Sequence, residues 1–322
     1  MRAHRIHVVA SVTSTLAVTG SLNMDFVLQV ERLPAPGETV LGWDFRMIPG
    51  GKGANQACAA GKLARNASVR MVGRVGQDPF ADSLKSSLAA AGVDVVTVLA
   101  TAHAPTGIAQ IWVERSGQNS IVVASGANGE LTAGDIESVH SVYENAAVSL
   151  FQLETPLATV QAALDASRKA GAVTILDPAP ARPLPAEMLA AVDVLTPNES
   201  EACILLGRAP ARVGFAEARE IAAALRAIGP RAVIVKLGDQ GCLYAGADGE
   251  VVAEGFRVKA VDTTAAGDTF NAAFGVALAE KMPVAAALRF ANAAAAISVT
   301  RAGAQSSAPA RDEVEAFLSE HQ

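Results

Sequence analysis

The stretch Val261-Asp262-Thr263-Thr264-Ala265-Ala266-Gly267-Asp268-Thr269-Phe270 decides the fold class. It reads as the end of a strand, a tight turn of small residues, and an apolar helix that begins at Thr269. A strand feeding a helix through a short turn is the building unit of α/β architecture. In such a turn the backbone N–H groups of Ala265, Ala266 and Gly267 can point into one concavity, with the helix dipole behind them. That makes an anion hole, and small side chains let an anionic group reach the backbone. Asp268 stands where a carboxylate could take a proton from an attacking hydroxyl. The blander alternative is that Asp268 only caps the helix.

Working outward, β-branched runs alternate with Ala-rich helical stretches. Strands are expected at Leu16–Leu22, Ser68–Val72, Ala147–Gln152, Ala172–Leu176, Val192–Thr196 and Ala232–Lys236. Helices are expected at Gln56–Leu63, Phe80–Ala91, Pro156–Ala170, Glu199–Leu206 and Ala216–Ala227, then at Thr269–Glu280, Val284–Val299 and Asp312–Glu320. This alternation predicts an α/β fold with a mostly parallel sheet flanked by helices on both faces. Two regions break the rhythm. Phe26–Val30, Glu38–Trp43, Ile108–Glu114 and Ser120–Ala124 read as strands without helices between them, and Ser116-Gly117-Gln118-Asn119 is a hairpin turn. They predict a small inserted β-sheet acting as a lid. The expected division is an α/β catalytic domain from 1–25, 49–107 and 125–322, with the lid from 26–48 and 108–124.

Composition excludes several function classes. Of 322 residues, 51% are hydrophobic and 18% charged, enough for a large core. Aromatics are only 4%, so Ala, Val and Leu must fill the interior. A net charge of −6 argues against nucleic-acid binding, which needs a basic surface. The richest apolar run, 284–299, is broken by Arg289 and Asn292, so no membrane span is expected. Cys58, Cys203 and Cys242 are scattered and odd in number, so no disulfide framework is expected. The histidines form no zinc motif. The basic start, Met1 to Leu16, is interrupted by Ser11, Thr13, Ser14 and Thr15, which suits a cytoplasmic chain better than a signal peptide.

Five further segments carry polar groups that could do chemistry. Pro49-Gly50-Gly51-Lys52-Gly53-Ala54-Asn55-Gln56 lacks Walker A spacing, but its glycines admit a ligand to the backbone while Lys52 and Asn55 offer donors. In Gly20-Ser21-Leu22-Asn23-Met24-Asp25-Phe26, strand periodicity puts Asn23 and Asp25 on one face, suited to vicinal hydroxyls. Thr196-Pro197-Asn198-Glu199-Ser200-Glu201 reads on its own as a capping box between Asn198 and Glu201. Gln152-Leu153-Glu154-Thr155-Pro156 puts a carboxylate just after a strand. Val235-Lys236-Leu237-Gly238-Asp239-Gln240-Gly241 is a strand ending in a glycine turn. Each has an ordinary reading as a turn, a cap or a solvated loop.

Together these segments resemble the ribokinase-like carbohydrate kinase family. The resemblance rests on G-S-L-N-M-D at 20–25, G-G-K-G-A-N-Q at 50–56, Q-L-E-T-P at 152–156, D-P-A-P-A at 177–181, T-P-N-E at 196–199, D-T-T-A-A-G-D-T-F-N at 262–271 and T-R-A-G-A-Q at 300–305. It runs from about Leu16 to Leu318. It implies transfer of the γ-phosphoryl of ATP to the 5-hydroxyl of D-ribose. Rival readings are a kinase for 2-deoxyribose, fructose or, less closely, a nucleoside, or a non-catalytic sensor on the same fold. By resemblance, Asn23, Asp25, Gly51, Lys52, Gly53, Asn55 and Glu154 would bind the sugar and Asp268 would be the catalytic base. Ala265, Ala266 and Gly267 would form the anion hole. Asn198, Lys236, Gly238, Gly241, Gly267 and Asn292 would lie along ATP, although Asn292 stands where a family member carries His. Glu201 would serve Mg²⁺ through water. A monovalent cation such as K⁺ would sit among Asp262, Thr264, Ser298, Arg301, Gly303 and Ser307. The resemblance also suggests a homodimer formed through the lid.

Overall fold

The computed structural model describes residues 14–321. The interrupted basic start read from Met1 onward lies, up to residue 13, outside the described residues.

The main sheet is built from β1 (Ser14–Thr19), β4 (Ala67–Val75), β5 (Val93–Asp94), β6 (Val98–Ala100), β9 (Ala146–Phe151), β10 (Val173–Leu176), β11 (Val194–Leu195), β12 (Ala232–Lys236), β13 (Gly241–Gly246) and β14 (Gly249–Glu254). The lid contains β2 (Asn23–Val30), β3 (Gly42–Gly50), β7 (Gly107–Glu114) and β8 (Asn119–Ala124). The main sheet has the order β14-β13-β12-β11-β10-β9-β1-β4-β5, with β6 also paired to β4. From β12 through β4 every pairing is parallel, whereas β12–β13 and β13–β14 are antiparallel.

Strand periodicity distributes the core to both faces. Leu16 and Val18 of β1 point to one side with Val148, Leu150, Ala232 and Ile234. Ala17 points to the other with Phe151, Val233 and Val235. The first side is covered by helices 52–63, 79–90, 266–279, 284–298 and 311–320, and the second by helices 157–169 and 215–227 with shorter helical turns. With few aromatics available, close approach replaces bulk. A Cβ on Gly275 would meet Leu150 at 3.0 Å and Leu16 at 3.1 Å, so glycine lets the 266–279 helix lie directly on β9 and β1. That contact fixes the helix whose first turn carries Asp268.

The lid sheet has the order β3-β2-β7-β8, with β2 and β7 parallel and the outer pairs antiparallel. The hairpin turn at 116–119 is present: Gly117 has φ 85° and the Glu114 N–H donates to the Gln118 carbonyl at 2.8 Å.

Several expected boundaries are displaced. The strand expected at Glu38–Trp43 is β3 at Gly42–Gly50, because Glu38 is used elsewhere: its carboxylate accepts from the Ala35 N–H at 2.9 Å and pairs with Arg32. The helix expected from Gln56 starts at Lys52. Its glycines hid it, and they are needed because a Cβ on Gly53 would stand 2.6 Å from the Ser21 nitrogen. The residues leading to Asp262 are not a strand. They are held by the Val261 N–H donating to the Val299 carbonyl at 2.7 Å, at the end of the 284–298 helix. The edge strands β13 and β14 and the short strands β5 and β6 were not anticipated.

Candidate active site

The loops after the parallel strands converge at one edge of the sheet, where open α/β sheets place their ligand sites. Gly20–Asn23 follows β1, Gln152–Thr155 follows β9, Asp177 follows β10, Asn198 follows β11, and Lys236 closes β12. The first turns of helices 52–63 and 266–279 enter the same space.

Asp268 is the centre of this arrangement and is 5% exposed. Its Oδ2 accepts from Asn55 Nδ2 at 3.0 Å and its Oδ1 from Gln56 Nε2 at 3.1 Å. Gln56 Nε2 also donates to Asp177 Oδ2 at 3.2 Å, while Gln56 Oε1 accepts from Gln152 Nε2 at 2.6 Å. Asp177 Oδ1 accepts from Lys236 Nζ at 3.0 Å. A chain of buried polar groups thus joins five separate segments. Burial pushes the Asp268 carboxyl up to about 6; Lys52 opposes the rise, Asp177 adds to it, and the bonds from Asn55 and Gln56 oppose it again. A helix N-terminus alone would have held this carboxyl low. Burial reverses that expectation and leaves a base that is stronger yet mostly ionised at neutral pH.

Ala265 has φ 58°, a left-handed conformation that turns the chain into the 266–279 helix. The anion hole differs in detail from the sequence expectation. The Ala266 N–H is spent on the Thr263 carbonyl at 3.3 Å. Among the described residues no acceptor faces the N–H groups of Ala265, Gly267 or Asp268, so these are the amides an anion could take.

On the lid side, Glu154 Oε2 accepts from Ser21 Oγ at 2.5 Å and from the Lys52 N–H at 3.2 Å. Asn23 Oδ1 accepts from Asn128 Nδ2 at 2.8 Å. Asp25 packs on Gly50, where a Cβ would come within 2.1 Å of its carboxylate. A Cβ on Gly51 would lie 2.7 Å from the Asn23 nitrogen. Burial, reinforced by Glu154 and then Asp268, pushes the Asp25 carboxyl up to about 7. For Lys52, burial alone would lower the ammonium, but Asp268, Asp177, Glu154 and Glu201 together hold it above its ordinary value. Asn55 Oδ1 is buried without a hydrogen-bond partner, which leaves an acceptor free for a ligand.

On the far side, Asn198 and Glu201 form the reciprocal capping box, each bond 2.8 Å. Burial raises the Glu201 carboxyl; Lys236 opposes this and Asp177 adds to it. Gly238 and Gly241 have φ 58° and 103°, turns that favour glycine. Asn292 is committed to backbone, its Nδ2 donating to the carbonyls of Ala253 at 2.9 Å and Glu254 at 3.2 Å.

Asp262 crosslinks two loops: Oδ1 accepts from the Thr264 N–H and Oδ2 from the Gly303 N–H, both at 2.9 Å. Ser298 and Ser307 donate to the carbonyls of Ala295 and Ala304, and Arg301 pairs with Glu313. No group of three or more His, Cys, Asp or Glu that could hold a metal ion occurs among the described residues.

Four contributors carried no assigned role in the sequence reading: Gln56, Gln152, Asp177 and Asn128. The first three lie inside motifs already quoted, so their presence was the available signal. Asn128 bridges Leu22 and Asn23 from 106 and 105 positions away and gave none.

Known proteins share this chain's sequence pattern and fold. Residues 13–311 match the model of the pfkB family carbohydrate kinases. The chain is 44% identical over 304 residues to a ribokinase of Bacillus subtilis, covering 94% of this chain and 99% of that protein. It is 41% identical over 304 residues to a ribokinase of Haemophilus influenzae, covering 94% and 98%. The solved structure of Arabidopsis thaliana ribokinase complexed with ribose and ATP superposes with a TM-score of 0.88 at 35% identity, covering 95% of this chain and 99% of that one. With its buried Asp268 beside free helix-end amides, this chain belongs to the pfkB family of carbohydrate kinases.

Proposed function

We propose that the protein transfers the γ-phosphoryl group of ATP to the 5-hydroxyl of D-ribose, giving D-ribose 5-phosphate and ADP. The observation that carries this reading is the buried Asp268 carboxylate at the mouth of a helix whose first amides have no protein acceptor. In the reaction the sugar oxygen bonds to phosphorus, the bond from phosphorus to the β-phosphate oxygen breaks, and the hydroxyl proton passes to Asp268. With a carboxyl near 6, Asp268 is ionised at neutral pH and aims the hydroxyl in line. The amides of Ala265, Gly267 and Asp268 stabilise the phosphoryl oxygens.

Asn23, Asp25, Gly51, Lys52, Gly53, Asn55 and Glu154 bind the sugar hydroxyls. Asn198, Lys236, Gly238 and Gly241 line the nucleotide path. Asn292 supports it from behind, since its amide holds β14. Magnesium arriving with ATP would neutralise charge on the triphosphate. Glu201 would serve it through water; burial raises its carboxyl, against Lys236 and with Asp177, so a nearby cation would favour the carboxylate. A potassium ion would be held by Asp262, Thr264, Ser298, Arg301, Gly303 and Ser307, several through backbone carbonyls, and would order the loop under the anion hole.

The lid, residues 26–48 and 108–124, closes over the sugar and limits attack by water. On the face that carries Asp25 and Val27 it exposes Val123 and Ile121. A second copy of the chain covers this surface in a lid-to-lid homodimer. We place the enzyme in the cytoplasm. Its three cysteines are free and buried, and no described helix is long and apolar enough to cross a membrane.

The test is ATP consumption measured with ribose, 2-deoxyribose, fructose and no sugar, with the product's phosphate position read by NMR. Ribose is expected to have the highest kcat/KM and to be phosphorylated on O5. Consumption independent of sugar, or a clear preference for another sugar, would overturn the reading.

A further inference from the structure

We propose that the ammonium of Lys236 is a catalytic cation that binds the oxygens of the phosphoryl group in transit, and that Asp177 is the positioning residue that holds it there. The inference deepens the kinase reading above and rests on it. There Lys236 was only one of several groups along the nucleotide path.

Lys236 closes β12, and its side chain is 12% exposed against 4% for Asp177. Its Nζ donates to Asp177 Oδ1 at 3.0 Å. A Cβ built on Gly267 would meet a single neighbour within 4 Å, Lys236 Nζ at 3.3 Å. The ammonium therefore stands directly over the glycine whose N–H faces no acceptor. An ammonium has three donors, and among the described residues only the one to Asp177 is matched. The remaining donors stand over the same glycine as the free amides.

Asp177 ties this cation to the base. Its other oxygen accepts from Gln56 Nε2 at 3.2 Å, and the same Nε2 donates to Asp268 Oδ1 at 3.1 Å. One amide thus sets the spacing between the carboxylate that receives the proton and the carboxylate that holds the cation. Gln152 fixes that amide's orientation by donating to its oxygen at 2.6 Å. A buried ion pair kept only for stability returns little against its desolvation cost. A lysine with donors left over beside amides that face no protein acceptor is accounted for by an anionic ligand. Held this way, it would draw the phosphoryl oxygens onto the Gly267 amide and keep phosphorus in line with the hydroxyl on Asp268.

The experiment compares wild type, Lys236→Met and the double variant Lys236→Met with Asp177→Asn. Lys236→Met is expected to lower kcat by about 10²- to 10³-fold, as for loss of one oxyanion donor, with the sugar KM within about threefold. Its affinity for a non-hydrolysable ATP analogue should fall about tenfold while its affinity for ADP holds, because only the former carries the third phosphate. The double variant removes both charges and should recover most of the lost thermal stability without recovering turnover. A Lys236→Met enzyme with wild-type kcat would overturn the proposal. So would equal weakening of ADP and the analogue, or recovery of turnover along with stability in the double variant. A wild-type protein that consumes no ATP with any sugar would instead remove the kinase reading itself.

Discussion

Asn55 Nδ2 donates to Asp268 Oδ2 at 3.0 Å, across 213 positions of sequence. The bond ties the glycine loop that opens the 52–63 helix to the first turn of the 266–279 helix. The amide expected to grip the substrate also holds the base, and its own Oδ1 is buried and unpartnered. Replacing Asp268→Asn keeps the shape and removes the proton acceptor. It is expected to cost about 10²- to 10⁴-fold in kcat while ribose affinity, read by calorimetry, stays close to wild type. Wild-type turnover would remove Asp268 from the role of base.

The acid limb of the rate profile should report the same carboxylate. Asp268 is raised to about 6 and, as the proposed base, would work only when ionised, so kcat/KM is expected to fall as pH drops through that region. The bond from Asn55 holds the carboxyl down. Asn55→Ala should therefore move the limb to higher pH as well as weaken sugar binding. A limb that moves lower, or does not move, would contradict this assignment of the titrating group.

Asp25 gives a stability prediction with a definite sign. Its folded carboxyl is raised to about 7 against an ordinary 3.8. Between these values the folded chain holds a proton that the unfolded chain has released, so stability falls as pH rises through the window. Above it, the buried charge costs the fold on the order of a few kcal/mol. Asp25→Asn is expected to raise the melting temperature of the ligand-free protein at pH 8 by several degrees and to flatten its fall between pH 5 and 8. Sugar binding should be largely lost. A variant less stable than wild type at pH 8 would show that the Asp25 charge is compensated in a way these contacts do not reveal.

The loops crosslinked by Asp262 lie next to the turn that presents the free amides. Exchanging potassium for a bulky organic cation such as tetramethylammonium is expected to depress kcat severalfold, with activity restored by adding potassium back. An enzyme indifferent to the exchange would leave Asp262 as a loop staple alone.

The lid exposes Ile121 at 54% and Val123 at 46% on the face that carries Asp25. Ile121→Glu with Val123→Glu places charge on the proposed dimer surface. The wild type is expected to sediment as a dimer and the double variant as a monomer with a raised sugar KM. A monomeric wild type would remove lid-to-lid pairing.

Sequence alone carried the fold class. Alternating β-branched and Ala-rich runs can bury their apolar faces only as a covered parallel sheet, and the short helix-free insert had to form a sheet of its own. The small residues before Asp268 announced an anion hole because no other composition lets a charged group reach the backbone. Tertiary structure decided what those residues do to one another. Local reading made the segment before Asp262 a strand. It gave no role to Gln56, Gln152 or Asp177, whose bonds run across 59 to 212 positions. Periodicity and capping act over a few residues, so they can be read from the chain. Burial and through-space charge depend on which distant segments meet, and these set the acidity of Asp268, the partner of Lys236 and the amides left without a protein acceptor.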